Sequence, residues 1–185
     1  MDKRSFLACG LLAVLATACS STSSGDPAAK RSSIDASVES AMSRLHAQVP
    51  GSRELTGKAR GVLVCPSVVS AGLGVGGSYG QGALRVGGRS VGYYSTTAAS
   101  VGLLAGADSK AVFLLFMTQG ALDKFRASNG WTAGADASVT MLKVGASAAI
   151  DTQTAEQPVV GFALSNAGLM ANLSLDGTKV SKLDL

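Results

Sequence analysis

Apolar positions along the chain change period twice. Ile34, Val38, Ala41 with Met42, Leu45 and Val49 recur at helical spacing, so they predict an amphipathic helix from about residue 34. Ser32 and Asp35 are its candidate capping residues, and Pro50-Gly51 is its stop. A second short helix is predicted over residues 53–59. From Gly61 the period shortens. GVLVC is a β-branched run, LGVGGSY alternates glycine with larger residues, and ALRV and RSVGYYS flank two glycines. That last arrangement predicts a tight hairpin at Gly87-Gly88. AVFLLFMT, residues 111–118, is short and continuously apolar, as expected of a strand buried on both faces. Residues 119–128 return to helical spacing through Leu122 and Phe125. ASVTMLKVGASAAI and PVVGFALS read as further strands, and GLMANLSLDGTKVSKL as a hairpin turning at Asp176-Gly177. The predicted fold is α+β: N-terminal helices packed on a strongly bent antiparallel sheet, sandwich or barrel-like, with a short helix inserted near 119–128.

The first residues follow a different logic. Lys3 and Arg4 precede an apolar run over residues 6–18 that is shorter than the about 18 residues of a membrane span. Leu15-Ala16-Thr17-Ala18-Cys19 resembles a bacterial lipobox. Residues 1–18 are therefore expected to be a lipoprotein signal peptide, with Cys19 acylated, palmitate included. Residues 19–33 are expected to be a flexible linker, and residues 34–185 a single domain. Ser20 after the cysteine is the residue expected of outer-membrane sorting, so the expected location is the periplasm, lipid-anchored to the outer membrane. One chain holds weakly, and several hold stably.

Composition narrows the chemistry. The chain has 185 residues, 23 of them glycine, and 5% are aromatic, which suits closely packed strands of small residues. The net charge of +4 is too weak to argue for nucleic acid. Beyond Cys19 and the signal-region Cys9 there is one cysteine, Cys65, so no internal disulfide is expected in the domain; Val64 and Pro66 around it suggest a buried, inert thiol.

GLGVGGSYG, residues 72–80, contains two enzyme patterns. Gly72, Gly74 and Gly77 fit a dinucleotide fingerprint, but the SYGQGALRVGG that follows makes a poor helix and no acid lies between Glu54 and Asp108. Gly76, Ser78 and Gly80 fit a nucleophile elbow, but the one histidine, His46, lies upstream. Gly72, Gly74 and Gly76 are better read as structural: they alternate, so in a strand they leave one thin face where backbone can approach or the sheet can bend. One histidine and one domain thiol do not make a zinc site, and the scattered acids lack calcium-loop spacing. No catalytic residues, metal or cofactor are expected. What remains is basic: Lys58, Arg60, Arg85 and Arg89 flank element junctions and are the candidates for anionic lipid head groups.

KARGVLVCPSVVSAGLGVGGSYGQGALRV resembles the opening of the SYLF domain, a lipid-binding module, and GLMANLSLDGTKVSKL resembles its closing signature. FMTQGALDKF and GADASV are similar to the bacterial branch. The resemblance spans about residues 55–183. It implies a non-catalytic binding module, with Lys58 and Arg60 flanking the position of the family's A-K-G motif. The expected partners are the membrane through Cys19, anionic phospholipid head groups and envelope proteins. A structural or protein-interaction lipoprotein without lipid specificity is the alternative.

Overall fold

A computed structural model describes residues 26–142, 157–165, 168–170 and 174–185. The expected signal peptide, Cys19 and the linker as far as residue 25 lie outside these residues, as do residues 143–150 of the expected strand ASVTMLKVGASAAI.

Helix α1 spans Pro27–Gln48, and α2 spans Ser52–Lys58. The start of α1 corrects two expectations. Residues 27–33 are helical rather than linker, and the cap is Asp26, whose carboxylate accepts from the Ala28 N–H at 3.0 Å. Pro27 follows at the position where its missing N–H costs nothing. Asp35 does other work: its two oxygens accept from Ser90 Oγ (2.7 Å) and Tyr93 Oη (2.8 Å), tying the helix to the sheet. At the other end Pro50 and Gly51 (φ 78°) separate the two helices as expected.

The runs expected as separate strands between 61 and 116 are two very long ones: β1 is Gly61–Val86 and β2 is Arg89–Phe116. They pair antiparallel from Val86↔Arg89 to Gly61↔Phe116. Gly87 and Gly88 form the turn with φ of 57° and 80°, the signs a type I′ hairpin requires. Register shifts at Cys65/Val68, Leu73/Val75 and Leu84/Arg85 bend the ribbon. Pro66, which has no N–H to give, sits in the first of them.

The rest of the chain completes the curl. Helix α3 is Gln119–Ala127, capped by Thr118 Oγ1. Short strands β3 (Trp131–Thr132) and β4 (Thr140–Met141) precede β5 (Val159–Ser165), β6 (Gly168–Leu169) and β7 (Lys179–Leu183). The base of β2 pairs with β5 and its start pairs with β7, which in turn carries β3. The sheet is a strongly curled half-barrel, antiparallel except where β4 runs parallel to β5. The C-terminal turn at Asp176-Gly177 is present, but among the described residues its two arms do not pair with each other as the expected hairpin would. β7 instead fills an edge of the bent ribbon beside β2 and carries β3, while β6 pairs with β5.

Two cores share the base of the sheet. Val62 and Val64, Phe113 and Leu115, and Phe162 and Leu164 face α1, where Ile34, Val38, Ala41 and Leu45 are buried. Leu63 and Cys65, Val112, Leu114 and Phe116 face the other way, toward Leu122, Phe125, Trp131 and Val180. The continuous apolar run at 111–116 is thereby accounted for: alternate residues serve opposite cores. Among the described residues, no helix is long and apolar enough to cross a membrane.

Candidate functional site

A groove of about 630 Å³ lies where α1, α2 and the hairpin end meet. Glu39, Met42 and His46 line it from α1, Arg53 and Thr56 from α2, and Arg85, Gly87 and Gly88 from the hairpin. Helical spacing of Glu39, Met42 and His46 puts them on one side of α1, and the tight turn brings Arg85 opposite.

The four expected basic residues fare differently there. Arg85 is committed: Nη1 is 2.5 Å from Glu39 Oε2 and Nη2 donates to the Gly88 carbonyl at 2.6 Å. Lys58 is exposed and pairs with Glu54 one helical turn earlier at 2.6 Å. Such exposed pairs are weak and easily exchanged. The hydrogen bond and charge of Lys58 hold the Glu54 carboxyl below its usual range. Arg60 is exposed at the mouth of β1, its backbone N–H donating to the Phe116 carbonyl. Arg89 is exposed beside the turn. Lys58 and Arg60 alternate with the groove residues Gly57, Ala59 and Gly61, and Arg89 follows Gly88. The structure adds Arg53, which the sequence did not single out.

His46 is half-buried, with Nε2 3.0 Å from Thr56 Oγ1. Burial and the nearby Arg53 charge lower its pKa, with Glu39 opposing them, so it links α1 to α2 as a neutral ring. It is thus engaged with Thr56, not with Ser78.

Of the three glycines read as structural, Gly72 is tightly enclosed. A Cβ on Gly72 would lie against Gly76 Cα and 2.7 Å from the Val75 carbonyl oxygen, so the strand doubles tightly on itself between these residues. Gly74 falls in the register shift between Leu73 and Val75, and the space around it lies outside what is described. The tightest approach is at Gly82, further along the same alternation. A Cβ there would fall on the Val64 carbonyl oxygen and 2.7 Å from its carbon.

The concave face of the half-barrel encloses a second space of about 440 Å³. Leu63, Cys65, Val112 and Leu114 line it from the ribbon, with Trp131 and Val180 opposite. Burial pushes the Cys65 thiol up to about 12, and the adjacent Thr96 hydroxyl opposes this only weakly. The thiol is buried, as expected. Because its folded pKa is raised, the unfolded chain loses that proton first as pH rises. Stability should therefore fall between about pH 9 and 12 by up to ~1.4 kcal/mol per pH unit. Urea titrations at stepped pH would show the slope, and Cys65→Ala should flatten it by that amount. An equal slope in the variant would refute the assignment.

Residues 97–184 match the family model Ysc84, described as Las17-binding protein actin regulator. This segment is similar to the Ysc84 (SYLF) domain. The Ysc84 family is linked to lipid binding or to actin regulators. The match runs from within β2 through β7, and so takes in most of the concave face but none of Lys58, Arg60, Arg85 or Arg89. No curated protein matches the chain.

Proposed function

We propose that this protein is a non-catalytic binding module of the cell envelope whose Ysc84 domain contacts anionic phospholipid head groups. In this reading acylated Cys19 holds it to the outer membrane, on the periplasmic side. The observation that carries the proposal is the groove between the helices and the hairpin end. Arg53 and Arg85 line it, and exposed Lys58, Arg60 and Arg89 interleave with its other lining residues. Arginines in the lining, with further exposed cations next to the lining residues in sequence, suit phosphate oxygens and would add to the hold of an acyl anchor. Arg85 contributes least, since Glu39 already neutralises it.

Flotation with liposomes of graded anionic content tests this, using protein without residues 1–19. Binding should rise with anionic fraction and fall as salt increases, because exposed charges are screened within about 10 Å at 0.1 M. The double reversal Lys58→Glu with Arg60→Glu should cut binding several-fold, and Arg89→Glu similarly. Binding that ignores head-group charge, or persists unchanged in high salt, would reject the lipid reading. The second reading, a protein-contact module, draws on the family description, which names a protein partner. It predicts capture of an envelope protein by cross-linking with no response to lipid charge.

A further inference from the structure

The enclosed space under the half-barrel has a chemistry that the basic groove does not share. At about 440 Å³ it lies within the range of small-molecule sites, about 300–1,000 Å³, whereas packed protein interiors leave few voids larger than a water molecule. Its deep wall is apolar, and Leu63, Val112, Leu114 and Trp131 are almost fully buried. Five hydroxyls line the space, those of Ser70, Ser78, Thr96, Ser174 and Thr178, and one of them stands apart. Thr96 is 4% exposed, and its Oγ1 is buried without a hydrogen-bond partner of proper geometry. The Cys65 thiol lies beside it, but a thiol is a weak partner. Buried hydroxyls are rarely left so, because the lost hydration is not recovered.

The mouth is different again. Lys110 is half-exposed, and Asp108 and Asp176 are exposed; all three line the same space. Among the described residues Lys110 has no ion pair with either acid. One cation and two carboxylates line the mouth of a largely apolar chamber in which, among the described residues, Thr96 is the buried side-chain donor without a partner.

We propose that this cavity binds a monoacyl lipid whose head group carries both a phosphate and an amine. The acyl chain fills the apolar wall. An ester oxygen near the head accepts from Thr96 Oγ1, the phosphate sits at Lys110, and the ammonium faces Asp108 and Asp176. A purely anionic head group would meet the two carboxylates unfavourably, which separates this site from the basic groove. The inference rests on the lipid-binding reading of the family and adds a second mode to it: extraction of one chain, where the groove only touches a surface.

The test uses the full chain carrying Cys19→Ala, so that its own acyl groups cannot occupy the site, prepared without detergent. Trp131, the one tryptophan in the sequence, lines the cavity and reports occupancy by its fluorescence. Titration with lysophosphatidylethanolamine below its micellar concentration should shift that emission, and native mass spectrometry should show one lipid per chain. Palmitate should bind at least tenfold more weakly. Lys110→Gln should weaken the phospholipid at least tenfold. Thr96→Val should weaken it several-fold while the melting temperature holds or rises, since the variant removes an unsatisfied group. Absence of a one-to-one complex with the unsubstituted cavity would overturn the proposal, and so would equal affinity for palmitate or indifference to Lys110→Gln. If vesicle flotation persists in that case, only the cavity fails and the groove reading stands. A one-to-one complex without flotation would instead keep the cavity and reject the groove.

Discussion

Gly82→Ala should unfold the protein or cost it at least about 3 kcal/mol, by far more than one methyl group usually does. The new Cβ would fall on the Val64 carbonyl oxygen and lie 2.9 Å from Cys65 Cα. Both obstacles are backbone, in a stretch where Val64 and Cys65 are fully buried, so no side chain can swing away. Two effects compete. Alanine restricts the unfolded chain and so favours folding by about 0.4–1 kcal/mol. Overpacking a core costs about 1–3 kcal/mol when side chains can adjust, and more when they cannot. The clash wins. At roughly 2–4 °C per kcal/mol for a chain of this size, the melting temperature should drop by about 10 °C if the variant folds at all. Gly77→Ala is the matched control, because its Cβ would meet only the Ala98 carbonyl oxygen at 3.7 Å. It should stay within ~0.5 kcal/mol of the parent. Equal melting temperatures for the two variants would refute the close crossing of β1 over itself.

Phe125→Ala is expected to cost about 3–5 kcal/mol. Helix α3 has nine residues, too few to be stable alone, and it buries only Leu122 and Phe125. Phe125 is the centre of an aromatic cluster: its ring lies 4.9 Å from Tyr94, 4.7 Å from Phe116 and 5.6 Å from Trp131. Removing it opens a cavity at the point where α3, β2 and β3 meet. Phe125→Leu keeps much of the volume and should cost less than half as much. Trp131 fluorescence in urea reads this directly. A Phe125→Ala midpoint unchanged from the parent, or unaltered Trp131 emission, would show that α3 is held by other contacts.

Elements announced by local signals are legible in the sequence. The Gly87-Gly88 turn, the stop at Pro50-Gly51, α3 and the doubly buried run at 111–116 all depend on residues a few positions apart. Contacts made across the chain are not. The start of α1 is hidden because Lys30-Arg31-Ser32-Ser33 is polar, and its Asp-Pro start reads equally well as a linker. The C-terminal turn is visible, but its strands pair elsewhere, β7 with an edge of the bent ribbon and β6 with β5. The thin glycine face is plain as far as Gly76. The same alternation continues through Ser78 and Gly80 to Gly82, so the residue under the greatest constraint carries a signal that only a longer window catches.

The site divides the same way. Exposure of Lys58, Arg60 and Arg89 follows from their charge and their place beside junctions. The capture of Arg85 by Glu39 does not, because it joins the hairpin to a helix far away in sequence. The concave cavity is invisible in the sequence for a related reason. Thr96 looks like any strand threonine until β7 closes over it, and Lys110 like any exposed lysine until the ribbon curls.

The length of the β1–β2 ribbon also has a consequence in time. Its turn pairs neighbouring residues, while its base joins Gly61 to Phe116. The cheapest order of assembly is therefore a zipper that starts at Gly87-Gly88 and runs toward the base. The last rungs to close belong to the apolar run 111–116, which also needs β5 along its edge, and α1 and α3 before both of its faces are covered. Until then an uncovered, aggregation-prone strand hangs from a half-closed ribbon, so a chain still being synthesised meets its greatest hazard just before its C-terminal strands arrive.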